Sequence, residues 1–214
     1  KKTIGDNIRL MFDSNEAYDP SNALAFTRLV SDIEIEWFEE PCPSRDDKAN
    51  KYVQMNSHIQ TAGGESLSTR WDFASRISSR IFDIFQPDIC SVGGPSEMHK
   101  IGVIAQSFGV KFNPHFWGSG ISFAAALHSI SVQPLSQVGL SDLPYENETV
   151  LECDKTQHPI RENLTNNIFN HQNSRIEVPK EAGLGIEVDE KELSNFTKGN
   201  VIEVSNHYKG QRIF

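Results

Sequence analysis

Apolar positions along the chain recur in one rhythm: a short β-rich apolar run ends on an acidic residue or a histidine, and a helical stretch follows. Residues 8–12 form the first run and end at Asp13, after which Asp19-Pro20-Ser21 opens a helical stretch reaching Val30. The next run, 35–38, ends at Glu39-Glu40, where Pro41 stops it. A polar helical stretch over 46–58 follows, and then residues 59–62 lead into Gly63-Gly64-Glu65. Ser68 and Thr69 suit the start of another helix, running to about Ser78. Residues 82–86 end at Pro87-Asp88, and Met98, Ile101, Ile104, Ala105 and Phe108 then recur at helical spacing. Residues 110–113 form a short strand before Pro114-His115, residues 121–132 a mostly apolar helix, and Val150-Leu151 the last strand, before Glu152.

Strands that alternate with helices predict a parallel sheet, either doubly wound or closed. The ionisable residues decide between the two. Asp13, Glu39, Glu65, Asp88, His115 and Glu152 sit at successive strand ends, at spacings of 26, 26, 23, 27 and 37 residues. On one rim of a (β/α)8 TIM-type barrel such ends converge on a shared mouth, whereas a doubly wound sheet spreads them along an edge. The expected fold is therefore an α/β barrel, incomplete here, with about six strand–helix units over residues 1–158. Residues 159–214 read differently. Short extended pieces at 175–179 and 183–188 flank a glycine-rich turn, and a short helix is expected over 193–198. This segment is expected to pack back on the barrel or on a cap domain that the chain lacks.

Composition narrows the function classes. The 214 residues are 37% hydrophobic and 23% charged, enough for one sizeable core. A formal net charge of -9 argues against a nucleic-acid or anionic-membrane surface. No apolar run approaches the roughly 20 residues of a membrane span, and no signal-peptide pattern opens the chain. Cys42, Cys90 and Cys153 form no CxxC pair, which predicts reduced thiols in a cytoplasmic protein. The Asn147, Asn163 and Asn195 sequons are of a frequency expected by chance.

The carboxylates carry the chemistry. Three acidic side chains on neighbouring strand ends raise one another's pKa unless a cation joins them. A hard divalent ion such as Mg2+ takes carboxylate, water and substrate oxygens, so Asp13, Glu39 and Glu65 are the candidate metal ligands. For one acidic residue alone, a solvated charge is the better reading; three in register depart from it. Of Glu39 and Glu40, Glu39 shares a strand face with Trp37 and is the one expected to point into the mouth. Asp88 beside His115 on the next two strand ends would fix the imidazole tautomer and raise its pKa for acid or base work. The other six histidines are read as structural. Glu152 is placed to meet a substrate carboxylate, or is a rim charge.

Phe12-Asp13-Ser14-Asn15, Trp37-Phe38-Glu39-Glu40-Pro41, Gly63-Gly64-Glu65, Gln86-Pro87-Asp88 and Pro114-His115-Phe116-Trp117-Gly118 resemble the ordered strand-end motifs of the mandelate racemase subgroup of the enolase superfamily. The resemblance runs from about Ile8 to Phe196. It implies Mg2+ on Asp13, Glu39 and Glu65, a catalytic Asp88–His115 dyad, and Glu152 and Asn15 as substrate-contacting residues. The muconate-cycloisomerase branch is set aside, because its catalytic lysine position is Ser91 here. The later motifs, such as Glu152-Cys153-Asp154-Lys155 and His158-Pro159-Ile160-Arg161, are similar to the ends of acid-sugar dehydratases and galactarolactone cycloisomerases.

What the resemblance implies is a lyase removing the proton α to a carboxylate and then water from an aldonic or aldaric acid. A lactone cycloisomerase, racemase or epimerase, or an inactive barrel serving only assembly, are the alternatives. Partners are expected to be a small-molecule carboxylate and, at full length, further copies of the protein, with no nucleic acid and no membrane. The family pattern includes an N-terminal α+β cap and a Lys-x-Lys motif on the second barrel strand, and Lys1-Lys2 is not that motif. The expectation is a longer natural protein, or a fragment stabilised by something else.

Overall fold

In the computed structural model, which describes residues 3–5, 7–133, 149–165 and 170–197, five parallel strands stand side by side in chain order. They are β1 (Met11–Asp13), β2 (Trp37–Glu39), β3 (Gln60–Gly63), β4 (Ile84–Phe85) and β5 (Lys111–Phe112). Helices α1 (Pro20–Leu29), α2 (Asp47–Asn56), α3 (Thr69–Ser79) and α4 (Pro95–Ser107) make the crossovers, and α5 (Gly120–Ser131) follows β5. Strand order equal to chain order, with a helix in each connection, is the arrangement of a barrel wall and not of a doubly wound sheet.

Local chemistry sets the helix starts. Asp19 and Asp46 cap α1 and α2 by accepting the backbone N–H of Asn22 and Ala49. Pro20 and Pro95 occupy first-turn positions, where the missing N–H costs nothing. Arg80 ends α3 in the left-handed conformation, with φ 50°.

Period-two alternation divides the core into two layers. Trp37, Ala62 and Ile84 pack together inside the curve of the sheet, with Met11 and Val150 against them. Phe38, on the other face of β2, packs under α1 and α2 with Ala23, Leu24 and Val53. Phe85 does the same under α3 and α4, with Phe73, Ile77, Met98 and Ile101. Every residue of β2 is buried, as expected of a strand covered on both faces. Glu39 therefore shares its face with Trp37 and aims into the barrel.

Three expectations are corrected. Val150-Leu151 is not a strand: the Val150 N–H donates to the Asn113 side chain, at 3.2 Å, in place of a strand carbonyl. Five strands, not six, are thus present among the described residues. The pieces at 175–179 and 183–188 contribute only isolated bridges, Gln172 to Arg175 and Thr165 to Val188. The last helix among the described residues, α7, spans Glu190–Phe196 and starts earlier than expected, because Asp189 accepts the N–H groups of Lys191 and Glu192. Beyond β5, Ile176 and Val178 pack against the Phe116, Phe123 and Leu127 cluster, and His128 Nε2 lies 3.2 Å from the Leu184 carbonyl oxygen. No helix among the described residues is long and apolar enough to cross a membrane.

Candidate active site

Register builds the first corner of the site. Asp13 and Glu39 are Cα partners across β1 and β2, so both carboxylates leave the sheet at the same level. The two strand ends are sewn together beyond that level. Ser14 donates its N–H to the Glu39 carbonyl at 3.1 Å and its hydroxyl to the Glu40 carbonyl at 2.7 Å. Asn15, Glu16 and Glu40 all hold positive φ, at 47°, 62° and 40°. Three such non-glycine residues at one corner concentrate backbone strain where function is expected.

Asp13 and Glu39 each have an orienting partner. Asp13 accepts the Asn15 N–H at 2.8 Å and its side-chain amide at 2.6 Å. Glu39 accepts the Trp37 indole N–H at 3.1 Å. Burial raises the Glu39 carboxyl above its ordinary range; hydrogen bonds from Gln86 and Trp37 oppose the rise, and the Asp13 and Glu65 charges add to it. Glu65 is likewise raised, by burial first, with His115 opposing and Asp13, Glu152 and Asp88 adding. Glu40 is buried, with Oε1 unpartnered, and burial beside Glu65 and Glu16 pushes it to about 8.

The second corner is the imidazole. His115 Nδ1 lies 2.8 Å from Asp88 Oδ2, while Asp88 Oδ1 accepts the Cys90 N–H at 2.7 Å. On the other side of the ring, Nε2 faces Glu65 Oε2 at 3.3 Å and Glu152 Oε2 at 3.9 Å. Burial works to lower the His115 pKa, but the Asp88 hydrogen bond and the Glu65 and Glu152 charges raise it to about 9. Asp88 is held below its ordinary value: burial opposes this, and the His115 and Cys90 hydrogen bonds outweigh it. Glu152 accepts the Phe116 N–H at 2.7 Å, which ties it to the His115 loop, yet burial still raises it to about 7.

A family described as Enolase C-terminal domain-like matches residues 1–192. The chain belongs to this family. This enolase C-terminal domain-like chain is 33% identical over 196 residues to the D-galactarolactone cycloisomerase of Agrobacterium fabrum, covering 92% of itself and 51% of that protein. It is 27% identical to the arabinonate dehydratase of Saccharolobus solfataricus, covering 86% of itself and 46% of the relative. The crystal structure of the 3,6-anhydro-D-galactonate cycloisomerase from Zobellia galactanivorans superposes with a TM-score of 0.82 at 33% identity, over 92% of this chain and 53% of that one. The chain thus spans about half the length of the relatives it matches.

One cavity of about 960 Å³ is lined by Asp13, Asn15, Glu65, Asp88, His115 and Glu152. Glu39 is the sequence-predicted site residue outside that lining; it lies buried beneath, with Trp37 and Gln86. Sequence reasoning assigned no role to Ser66, Ser91, Trp117 or Asp154 in the cavity wall, nor to Gln86 below it. Trp117 and Gln86 fall inside the strand-end motifs, but nothing in the pattern distinguishes them from flanking residues.

Among the described residues, no group of three His, Cys, Asp or Glu side chains is set to hold a metal as it stands. The oxygens of Asp13 and Glu39 are instead engaged by Asn15 and Trp37. The donor chemistry nevertheless fits a hard cation: all-oxygen ligands, oriented by amide and indole donors and repelling one another.

Proposed function

We propose that this chain is the barrel part of a Mg2+-dependent enzyme that removes the proton α to the carboxylate of an acid sugar and then expels its β-hydroxyl as water. The observation that carries the reading is His115, bonded to Asp88 through Nδ1 and facing Glu65 and Glu152 through Nε2 within one cavity. Asp13, Glu39 and Glu65 would hold the metal. Bound Mg2+ supplies Lewis-acid stabilisation of the charge that develops as the α-proton leaves.

The residues of the chain do the rest. Asp88 accepts the Nδ1 proton and keeps Nε2 as the working atom. In its neutral form, Nε2 takes the α-proton as the C–H bond breaks. As imidazolium, it returns a proton to the departing β-hydroxyl, so the C–O bond breaks and water leaves. The raised His115 pKa favours the acid half of this cycle. Glu152, with a pKa of about 7, carries a proton often enough near neutrality to donate a hydrogen bond to the substrate carboxylate.

A second reading replaces the departing hydroxyl by a ring oxygen of the substrate. The two 33%-identical relatives quoted above are both cycloisomerases, and that favours it. The first proton transfer is common to both. The test incubates the intact protein containing this chain with aldonic and aldaric acids, their lactones and anhydro forms, in D2O with Mg2+. Deuterium at the α-carbon that disappears in His115→Asn supports the proposal. Exchange and turnover unchanged in that variant would overturn it.

A further inference from the structure

We infer that Arg161 is a positioning residue that clamps together the loop carrying His115 and the loop carrying Glu152. It lies in the short helix α6 (Pro159–Asn163), outside the cavity wall, and is only 3% exposed. Arginine is almost never this buried without partners. Its guanidinium reaches Asp154 Oδ2 through Nη2 at 2.6 Å, and the Asp154 and Thr156 carbonyls through Nη1 at 3.4 and 3.2 Å. Through Nε it donates to the Gly118 carbonyl at 3.4 Å. The guanidinium carbon also lies 5.4 Å from the centre of the Trp117 ring, within cation–π range.

These partners fall into two sets. Trp117 and Gly118 directly follow His115-Phe116; Asp154 and Thr156 lie within three residues after Glu152-Cys153. On the cavity side the same loops meet through Phe116 N–H to Glu152. Arg161, itself outside the lining, joins them a second time, so each loop is held at two points. A planar fork of five N–H donors can bridge two backbones at once; a point charge cannot. The clamp thus fixes the distance between the imidazole and the Glu152 carboxyl. The inference rests on the proposed function only in naming those two groups as the working pair.

The test needs no known substrate. Amide hydrogen exchange of the full chain is followed by mass spectrometry in wild type, Arg161→Gln, Arg161→Lys and Asp154→Asn. Arg161→Gln is expected to speed exchange about tenfold or more at both 115–118 and 152–156, while β1 to β3 keep their protection. Arg161→Lys should restore 152–156, through its charge on Asp154, more than 115–118. Should Arg161→Gln unfold the chain, Asp154→Asn must loosen both segments to sustain the clamp. Loosening of one segment alone, or of neither, overturns it.

Turnover supplies the second readout wherever the wild-type enzyme processes an acid sugar. Arg161→Gln should lower kcat by up to about a hundredfold while KM stays within about threefold. An unchanged kcat alongside loosened loops overturns the catalytic link. A wild type that turns over no acid sugar defeats the functional proposal, and hydrogen exchange still decides the clamp.

Discussion

His115 has three carboxylates within electrostatic reach, Asp88, Glu65 and Glu152, and the balance among them decides its protonation. Asp88 holds one ring nitrogen at 2.8 Å, and Glu65 sits 3.3 Å from the other. Two substitutions separate these contributions. Asp88→Asn should lower the His115 pKa from about 9, because it removes both the largest raising cause and a charge. Glu65→Gln should lower it by less. Both shifts can be read by NMR titration of the imidazole, and a His115 that still titrates near 9 in both variants would refute this assignment. On catalysis, Asp88→Asn should cost about a hundredfold to ten-thousandfold in kcat, the range expected for positioned proton transfer. Steady-state kinetics on whichever acid sugar the wild type accepts would measure it.

At the scale of single elements, β2 serves packing with one face and chemistry with the other. Phe38 points outward into a ring cluster, 5.1 Å from Phe26 and 5.5 Å from Phe12 between centroids. Trp37 and Glu39 point inward, bonded to each other at 3.1 Å. Phe38→Ala should therefore cost about 3–5 kcal/mol of stability, measured by urea unfolding. Trp37→Phe keeps the bulk but drops the N–H, so stability should hold while Mg2+ affinity falls about 10–100-fold by calorimetric titration. Equal losses of stability in the two variants would show that β2 lacks this division. Both faces were legible in the sequence, because alternation over three residues assigns each side chain to a side. The order of the strands and the convergence of Asp13, Glu65, Asp88, His115 and Glu152 were legible too, from apolar rhythm and spacing. The sixth strand was not: Val150-Leu151 has strand composition, but a side-chain amide takes the hydrogen bond that a ladder would need. Nor was the Arg161–Asp154 pair, since contacts between irregular segments follow no period.

For the whole molecule, the acid-rich mouth trades stability for a site. Glu39, Glu40, Glu65 and Glu152 all have folded pKa values above their ordinary 4.5, with Glu152 near 7 and Glu40 near 8. A raised folded pKa gives stability that is present below the unfolded value and lost as pH rises through the folded one. His115 has the same sign, lost from its ordinary 6.5 up to about 9. The lowered carboxyls, such as Asp88, have already made their contribution by pH 5. Among the described residues, every shifted group that titrates between pH 5 and 8 thus pulls in one direction, and the metal-free chain should melt at a lower temperature at pH 8 than at pH 5. At the proposed metal site Mg2+ would compete with the protons on Glu39 and Glu65, so its stabilising effect should grow over the same interval. At a hundred times its dissociation constant, a ligand bound only by the folded chain adds about 2.7 kcal/mol. For a chain of this size each kcal/mol moves Tm by about 2–4 °C, so the expected gain at pH 8 is about 5–10 °C, vanishing toward pH 5 and reversed by a chelator. Calorimetric scans with and without Mg2+ across this range would decide the matter. A chain with no Mg2+-dependent shift at pH 8 would have lost its metal site, and the assembly-only reading of the barrel would then replace the catalytic one.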